Sequence, residues 1–230
     1  SNLFSHTGTF GAIVVLTAIS NVLQFQSARY LPFGLRASVI LTGVSLGSVF
    51  LGWGVLGERL SPTAAAWCAL IVLGAALAAP GEHARHEIEP RLAPGISLSL
   101  ASAALMAVVA LLMKSLTERT HPLLAAWAWE FGSGLILVPA LLARRAAPRF
   151  AFKQFGRVAL ASSPTAIGSS ASMLALGAGR LGLWGALAGT QVLFTAVLGV
   201  LWHRELIGPR RWACFLAAAI GVAGLALTRA

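Results

Sequence analysis

The sequence predicts an all-α, polytopic membrane protein of about eight transmembrane helices, and three observations carry that prediction. The 230 residues are 57% hydrophobic and only 10% charged, with a mean hydropathy of +0.81, too apolar for a surface that must stay wetted. The apolar residues fall into runs of about 20, the length a helix needs to cross the hydrocarbon core. The gaps between runs are short, so neighbouring helices form antiparallel hairpins and no soluble domain has room to fold.

The candidate helices are 9–28, 33–56, 63–79, 94–114, 122–143, 156–178, 182–202 and 210–228. Pro32, Pro62, Pro94, Pro122 and Pro209 stand near their starts, where the missing proline N–H costs nothing. Ser61 before Pro62 is placed to cap the third helix. The longest gaps are 80–93, of mixed charge, and 144–155, which holds Arg144, Arg145, Arg149 and Lys153. Cys68 and Cys214 lie inside apolar runs, where cysteine acts as a small hydrophobe.

The net charge of +10 does not indicate a nucleic-acid partner, because the 17 Lys and Arg are spread over the gaps. A nucleic-acid binder would carry a basic face on a polar domain. Basic gaps set the orientation of a membrane protein instead.

The chain also repeats itself. A shift of 147 positions lays Leu51 on Leu198, Gly52 on Gly199, Glu58 on Glu205, Pro62 on Pro209 and Gly74 on Gly221. Residues 81–93 then form the linker between a first repeat, 1–80, with three helices and a second, 94–230, with five. The last three helices of the second match the three of the first. Equal halves would require two further helices before Ser1. Gly43 and Gly47, and Gly185 and Gly189, are small pairs at spacing four on matching helices, a spacing that allows close backbone approach.

These residues carry a family resemblance. An apolar helix ending in Leu-Gly-Glu-Arg-Leu-Ser-Pro at 56–62, followed by a helix with Gly74 in its interior, resembles the signature of the EamA-like drug/metabolite transporter superfamily. The second copy keeps Glu205, Pro209 and Gly221 but has Arg204 where the glycine would stand, and Gln26 to Leu31 resembles the end of the third helix of such repeats. The resemblance implies two inverted repeats moving small organic metabolites or drugs by alternating access, as an exporter, in a multi-pass protein of a bacterial plasma membrane. The alternative is a non-transporting membrane module or truncated half-transporter that serves as an assembly partner. The resemblance implies a small-molecule substrate and the lipid bilayer as partners, with a homodimer as a compatible assembly, and neither enzyme activity nor a cofactor.

Glu58 and Glu205 sit at helix junctions, where a carboxylate can reach water or the first amides of the following helix and complements its dipole. They read as caps rather than as a transport site. Glu130 is different, because an ionisable residue inside a membrane helix is costly unless it faces a cavity or a partner. It has two readings, a substrate or proton site, or a side chain that snorkels while Trp127 and Trp129 anchor the interface. Asn21, Gln24 and Gln191 carry amides that must face protein or water, and inverted repeats would bring their helices together. Ser169, Ser170, Ser172 and Thr190 can satisfy their own helix and read first as packing residues. Trp184 either lines the same space or belongs to the interfacial belt. The expected substrate-binding set is therefore Asn21, Gln24, Trp127, Glu130, Trp184 and Gln191.

Arg29, Arg36 and Arg180 flank the expected pathway, either as loop charges that set topology or as attractants for anionic solutes. Lys114 reads as a snorkelling anchor. His83 and His86 lack the second ligand pair of a metal site, and Gly168 to Ser172 is not a nucleophile elbow. Assigning gaps alternately to two sides places twelve Lys and Arg with the 144–155 loop and five on the other side. The charge rule makes the first side cytoplasmic, whereas the arrangement implied by the family resemblance puts it outside.

Overall fold

A computed structural model describes residues 7–31, 33–77, 92–136, 152–188, 190–191, 194 and 208–227, and the described elements are all helical. They are α1 (Thr7–Ser27), α2 (Phe33–Gly54), α3 (Pro62–Leu77), α4 (Leu92–Thr117), α5 (Pro122–Trp127) running into a π-helical turn (Ala128–Gly132), α6 (Phe152–Ala178), α7 (Leu181–Ala188) and α8 (Pro209–Leu227). Among the described residues, three stretches are long and apolar enough to span a bilayer, Thr7–Ser27, Arg36–Gly54 and Leu92–Thr117, while Pro62–Gly74 and Trp212–Val222 are shorter apolar helices. The expected linker lies outside the described residues apart from 92 and 93, which open α4. The second motif at 198–207, the two loop histidines, Gly189 and the basic stretch 144–151 also lie outside them.

Helix α6 has 27 residues, enough to span, but six hydroxyl side chains crowd positions 162 to 172 and make it more polar than the three spans. Pro164 sits within it. Proline cannot donate to the carbonyl four residues earlier. Ser163 replaces that donor, its Oγ bonding to the Leu160 carbonyl at 2.8 Å, so the helix continues without an orphaned acceptor.

The helix starts follow local chemistry. Pro62, Pro122 and Pro209 are the first residues of α3, α5 and α8. Ser61 caps α3 as expected, its Oγ accepting from the Ala64 amide at 3.2 Å. Helix α4 begins earlier than the sequence suggested, which places Pro94 in its first turn, where intrahelical donors are still unneeded.

The chain divides into two compact units, one made of Ser1–Ile19 and Leu112–Gly179, the other of Ser20–Leu111 and Arg180–Ala230. In the larger unit the helices meet through small residues. A Cβ on Gly43 would stand 2.7 Å from the Ala103 Cβ, and one on Gly47 would stand 2.6 Å from that of Ala107. The small pair of α2 thus sits on an equally spaced small pair of α4, and Ile40, Val44 and Met106 pack beside it. Without a hydrophobic effect between helices in lipid, such close approach supplies the dispersion contact that holds them. Ser20 of α1 and Ser102 of α4 add a buried bridge, with their Oγ atoms 2.8 Å apart.

Helices α3 and α8 cross through glycines on both sides. A Cβ on Gly74 would meet the Cys214 carbonyl at 2.8 Å and the Ala218 Cβ at 2.9 Å, and one on Gly221 would meet Ile71 at 2.7 Å and the Trp67 carbonyl at 3.2 Å. Cys68 is buried with Ala64, Ile71 and Ala186, and both cysteines are free thiols.

In the smaller unit, α6 packs on α5. Gly177 lets the Pro122 ring approach, since a Cβ there would be 2.9 Å from its Cγ. Met113, Met173 and Leu176 are fully buried. Large apolar side chains also cover much of the outside, with Phe25, Phe50, Trp53, Leu160, Ile167 and Phe194 each about two-thirds exposed or more. A soluble protein would not tolerate that surface, and a bilayer requires it.

Candidate functional site

The smaller unit holds the carboxylate that the sequence singled out. Helix α5 gives way after Trp127 to the π-helical turn Ala128–Gly132, with Glu130 at its centre. Such turns widen the backbone and recur at functional sites. Here Gly132 lies against Val14 of α1, where a Cβ would collide with the valine methyls. Glu130 is exposed rather than sunk in the packing. Its Oε1 accepts a short hydrogen bond of 2.5 Å from Ser169 Oγ of α6. Ser169 is buried, so its hydroxyl anchors one carboxylate oxygen of a residue that is itself exposed.

Aromatic rings stand on the same stretch. Trp127 and Phe131, four residues apart, stack with centroids 5.1 Å apart, and Phe10 tilts onto Trp127 at 6.1 Å. Trp127 and Phe131 are each about half exposed. The unit therefore combines an oriented carboxylate with accessible π faces, groups that bind a proton or a polar solute with an apolar body.

Asn21, Gln24, Trp184 and Gln191 belong to the larger unit. Asn21 and Gln24 are half-buried, three residues apart on α1. The main-chain carbonyl of Gln24 accepts from Arg36 Nη1 at 3.1 Å and from Ser27 Oγ at 2.8 Å. Arg36 is thus tied to the end of α1. Trp184 is half-buried in α7, and Gln191 is exposed just beyond it. In the smaller unit, Trp127, Glu130 and Ser169 come together.

Glu58 binds farther along the chain than the junction suggested. Gly57 takes the left-handed conformation, φ 65°, which only a residue without Cβ adopts freely. The Glu58 amide then turns back to the Gly52 carbonyl at 3.0 Å. This aims the carboxylate at α7, not at α3. Oε1 accepts from the Leu181 amide at 2.6 Å and Oε2 from the Gly182 amide at 2.9 Å. Two orphan donors of α7 are satisfied by one charged group at the positive end of its dipole. Gly52 makes the room, because a Cβ there would stand 2.6 Å from Oε2. Beside it Arg180 Nη1 donates to the Arg59 carbonyl at 2.8 Å.

Lys114 likewise departs from the snorkelling expectation. It is buried, and its Nζ donates to the Leu176 carbonyl at 3.2 Å and the Gly179 carbonyl at 2.6 Å. A cation there complements the negative end of α6, and Glu118 balances it at 3.3 Å. Sequence reasoning missed this because the acceptors are backbone atoms and leave no motif. The bond from Ser169 to Glu130 left no such mark either.

Comparison with known proteins agrees with this architecture. One solved structure, described only as a crystal structure of a protein, matches with a TM-score of 0.75 at 16% identity, covering 95% of this chain and 75% of that one. At that identity the likeness concerns the fold. No curated protein matches the chain. The profile of the EamA-like transporter family matches residues 93–227, more than half of the sequence, and this membrane protein of apolar helices therefore belongs to the EamA-like transporter family.

Proposed function

We propose that the chain is a carrier of small organic metabolites or drugs in a bacterial plasma membrane, working as an exporter by alternating access between two inverted repeats. About eight spans would be divided between repeats at 1–80 and 94–230 around the 81–93 linker. The observation that carries the reading is Glu130, a carboxylate set in a π-helical turn, exposed, and oriented by the Ser169 hydroxyl. A structural carboxylate in an apolar helix would be buried against a cation or neutralised. One held, among the described residues, by a single neutral donor remains available to a proton or a solute.

The repeat reading is supported by the α3 and α8 crossing. Under the 147-residue shift, Gly74 corresponds to Gly221, and positions 67 and 71 correspond to 214 and 218. Gly74 touches 214 and 218 while Gly221 touches 67 and 71, so each contact is the image of the other. Asn21, Gln24, Trp184 and Gln191 are proposed to line the pathway with Trp127 and Glu130.

The test is uptake into proteoliposomes containing the full protein, screened with a panel of amino acids, nucleosides and organic cations. Glu130→Gln and Gln191→Ala are expected to abolish substrate-dependent flux, and Ser169→Ala to lower it while retaining the carboxylate. Flux unchanged in all three variants removes the site. Absence of flux from the parent protein, with another membrane protein co-purifying, favours the assembly-module alternative.

A further inference from the structure

The end of α2 carries features that neither helix capping nor solute transport uses. An open recess of about 480 Å³ lies there, walled by Val49, Phe50, Trp53, Leu60 and Gly182, with Glu58 and Arg59 supplying its charges. The Glu58 carboxylate is engaged by the amides of Leu181 and Gly182, and the two arginines beside it, Arg59 and Arg180, outweigh its charge. Arg59 is exposed, and its guanidinium has no hydrogen bond or ion pair among the described residues. Its own carbonyl accepts from the Arg180 guanidinium at 2.8 Å, which brings a second cation to the same end of the helix.

Below this basic rim, α2 presents an apolar track. Leu46, Phe50 and Trp53 are 43%, 65% and 67% exposed and recur at spacings of four and three, one side of a helix. Seven residues at 1.5 Å each make the track about 10 Å long. Trp53 near the end of a spanning helix marks the level of the headgroups. A ligand that matches all of this has an anionic head joined to an apolar tail and reaches the recess from the bilayer. We propose that the recess binds one anionic phospholipid, its phosphate on Arg59 and Arg180 and an acyl chain along Leu46, Phe50 and Trp53. A zwitterionic lipid offers the same phosphate with a cation attached, which the two arginines disfavour.

The experiment titrates the purified full chain in non-ionic detergent with phosphatidylglycerol and phosphatidylcholine of identical acyl chains, reading the lipid-bound fraction by native mass spectrometry. One phosphatidylglycerol is expected to bind about 25-fold more tightly than phosphatidylcholine, each arginine contributing about five-fold. Arg59→Gln should remove about five-fold of the phosphatidylglycerol affinity and leave phosphatidylcholine unchanged, while Trp53→Ala should weaken both lipids. The Arg59 side chain has no described partner, so its replacement spares the fold. Equal affinity for the two lipids, or phosphatidylglycerol binding indifferent to Arg59→Gln, overturns the proposal. So does displacement of the bound lipid by glycerol 3-phosphate at tenfold excess, which would reveal a site for the phosphate group alone.

Discussion

Replacing Glu58 tests the clamp between the end of α2 and the start of α7. In Glu58→Ala the amides of Leu181 and Gly182 both lose their acceptor, and both residues are buried, so water does not readily replace it. An unsatisfied buried donor costs about 1–3 kcal/mol. Two such donors, with partial relaxation of the helix end, give a loss of about 3 kcal/mol. Glu58→Gln keeps one acceptor oxygen but turns an NH₂ toward the other amide, so roughly half that loss is expected. For a chain of this size each kcal/mol moves the melting temperature by about 2–4 °C. Thermal unfolding of the detergent-solubilised protein, followed by tryptophan fluorescence, should therefore show a drop of roughly 6–12 °C for Glu58→Ala and about half for Glu58→Gln. Gly52→Ala supplies an internal check, because its Cβ collides first with Glu58 Oε2. It should cost less in the Glu58→Ala background than in the parent. A Glu58→Ala protein that melts with the parent, or strict additivity of the pair, refutes the clamp.

Two other substitutions probe the packing. Gly47→Ala drives a methyl onto Ala107 and should destabilise by about 1–3 kcal/mol, whereas Gly11→Ala, with nothing within 4 Å of the added methyl, should be neutral or slightly stabilising in the same melt. Lys114→Met leaves the Leu176 and Gly179 carbonyls without their donor and should cost about 3 kcal/mol or more. Glu118→Gln removes only its exposed partner and should cost less than about 1 kcal/mol; equal losses for these two would mean that the lysine acts through the ion pair and not as a helix cap.

How much of this could be read in the sequence depends on how far each interaction reaches. The starts of α3, α5 and α8 were legible at Pro62, Pro122 and Pro209 because a proline acts within its own turn. Ser61 was legible for the same reason. The partner of Glu58 was not, because 123 residues separate it from Leu181 and a helix start offers bare amides that no residue type announces. Lys114 was misread because a lysine near the end of an apolar run is ordinarily drawn to water, and only the converging end of α6 gives it buried acceptors. At the candidate site, Glu130 was conspicuous by its charge. The π-helical turn that displays it was not, since it shifts the hydrogen-bond register without any change in composition. Ser169 was one hydroxyl among six on α6, and only tertiary structure distinguishes it from its neighbours.

Under the proposed repeat, the crossing of α3 and α8 gives two halves of one chain a freedom that separate copies lack. The Trp67 ring fills the space left by Gly224, where an added Cβ would strike the indole. At the corresponding positions the sequence holds Cys214 and Leu77, so bulk sits on the other member of the pair. A symmetric dimer of identical chains could not differ in this way, because any residue chosen for one side would appear on both. With both halves in one chain, the contacts of Gly74 and Gly221 can correspond while their flanks diverge. On the proposed transport reading, such a chain would keep matched helix contacts and still present two unlike surfaces to a solute that has no symmetry of its own.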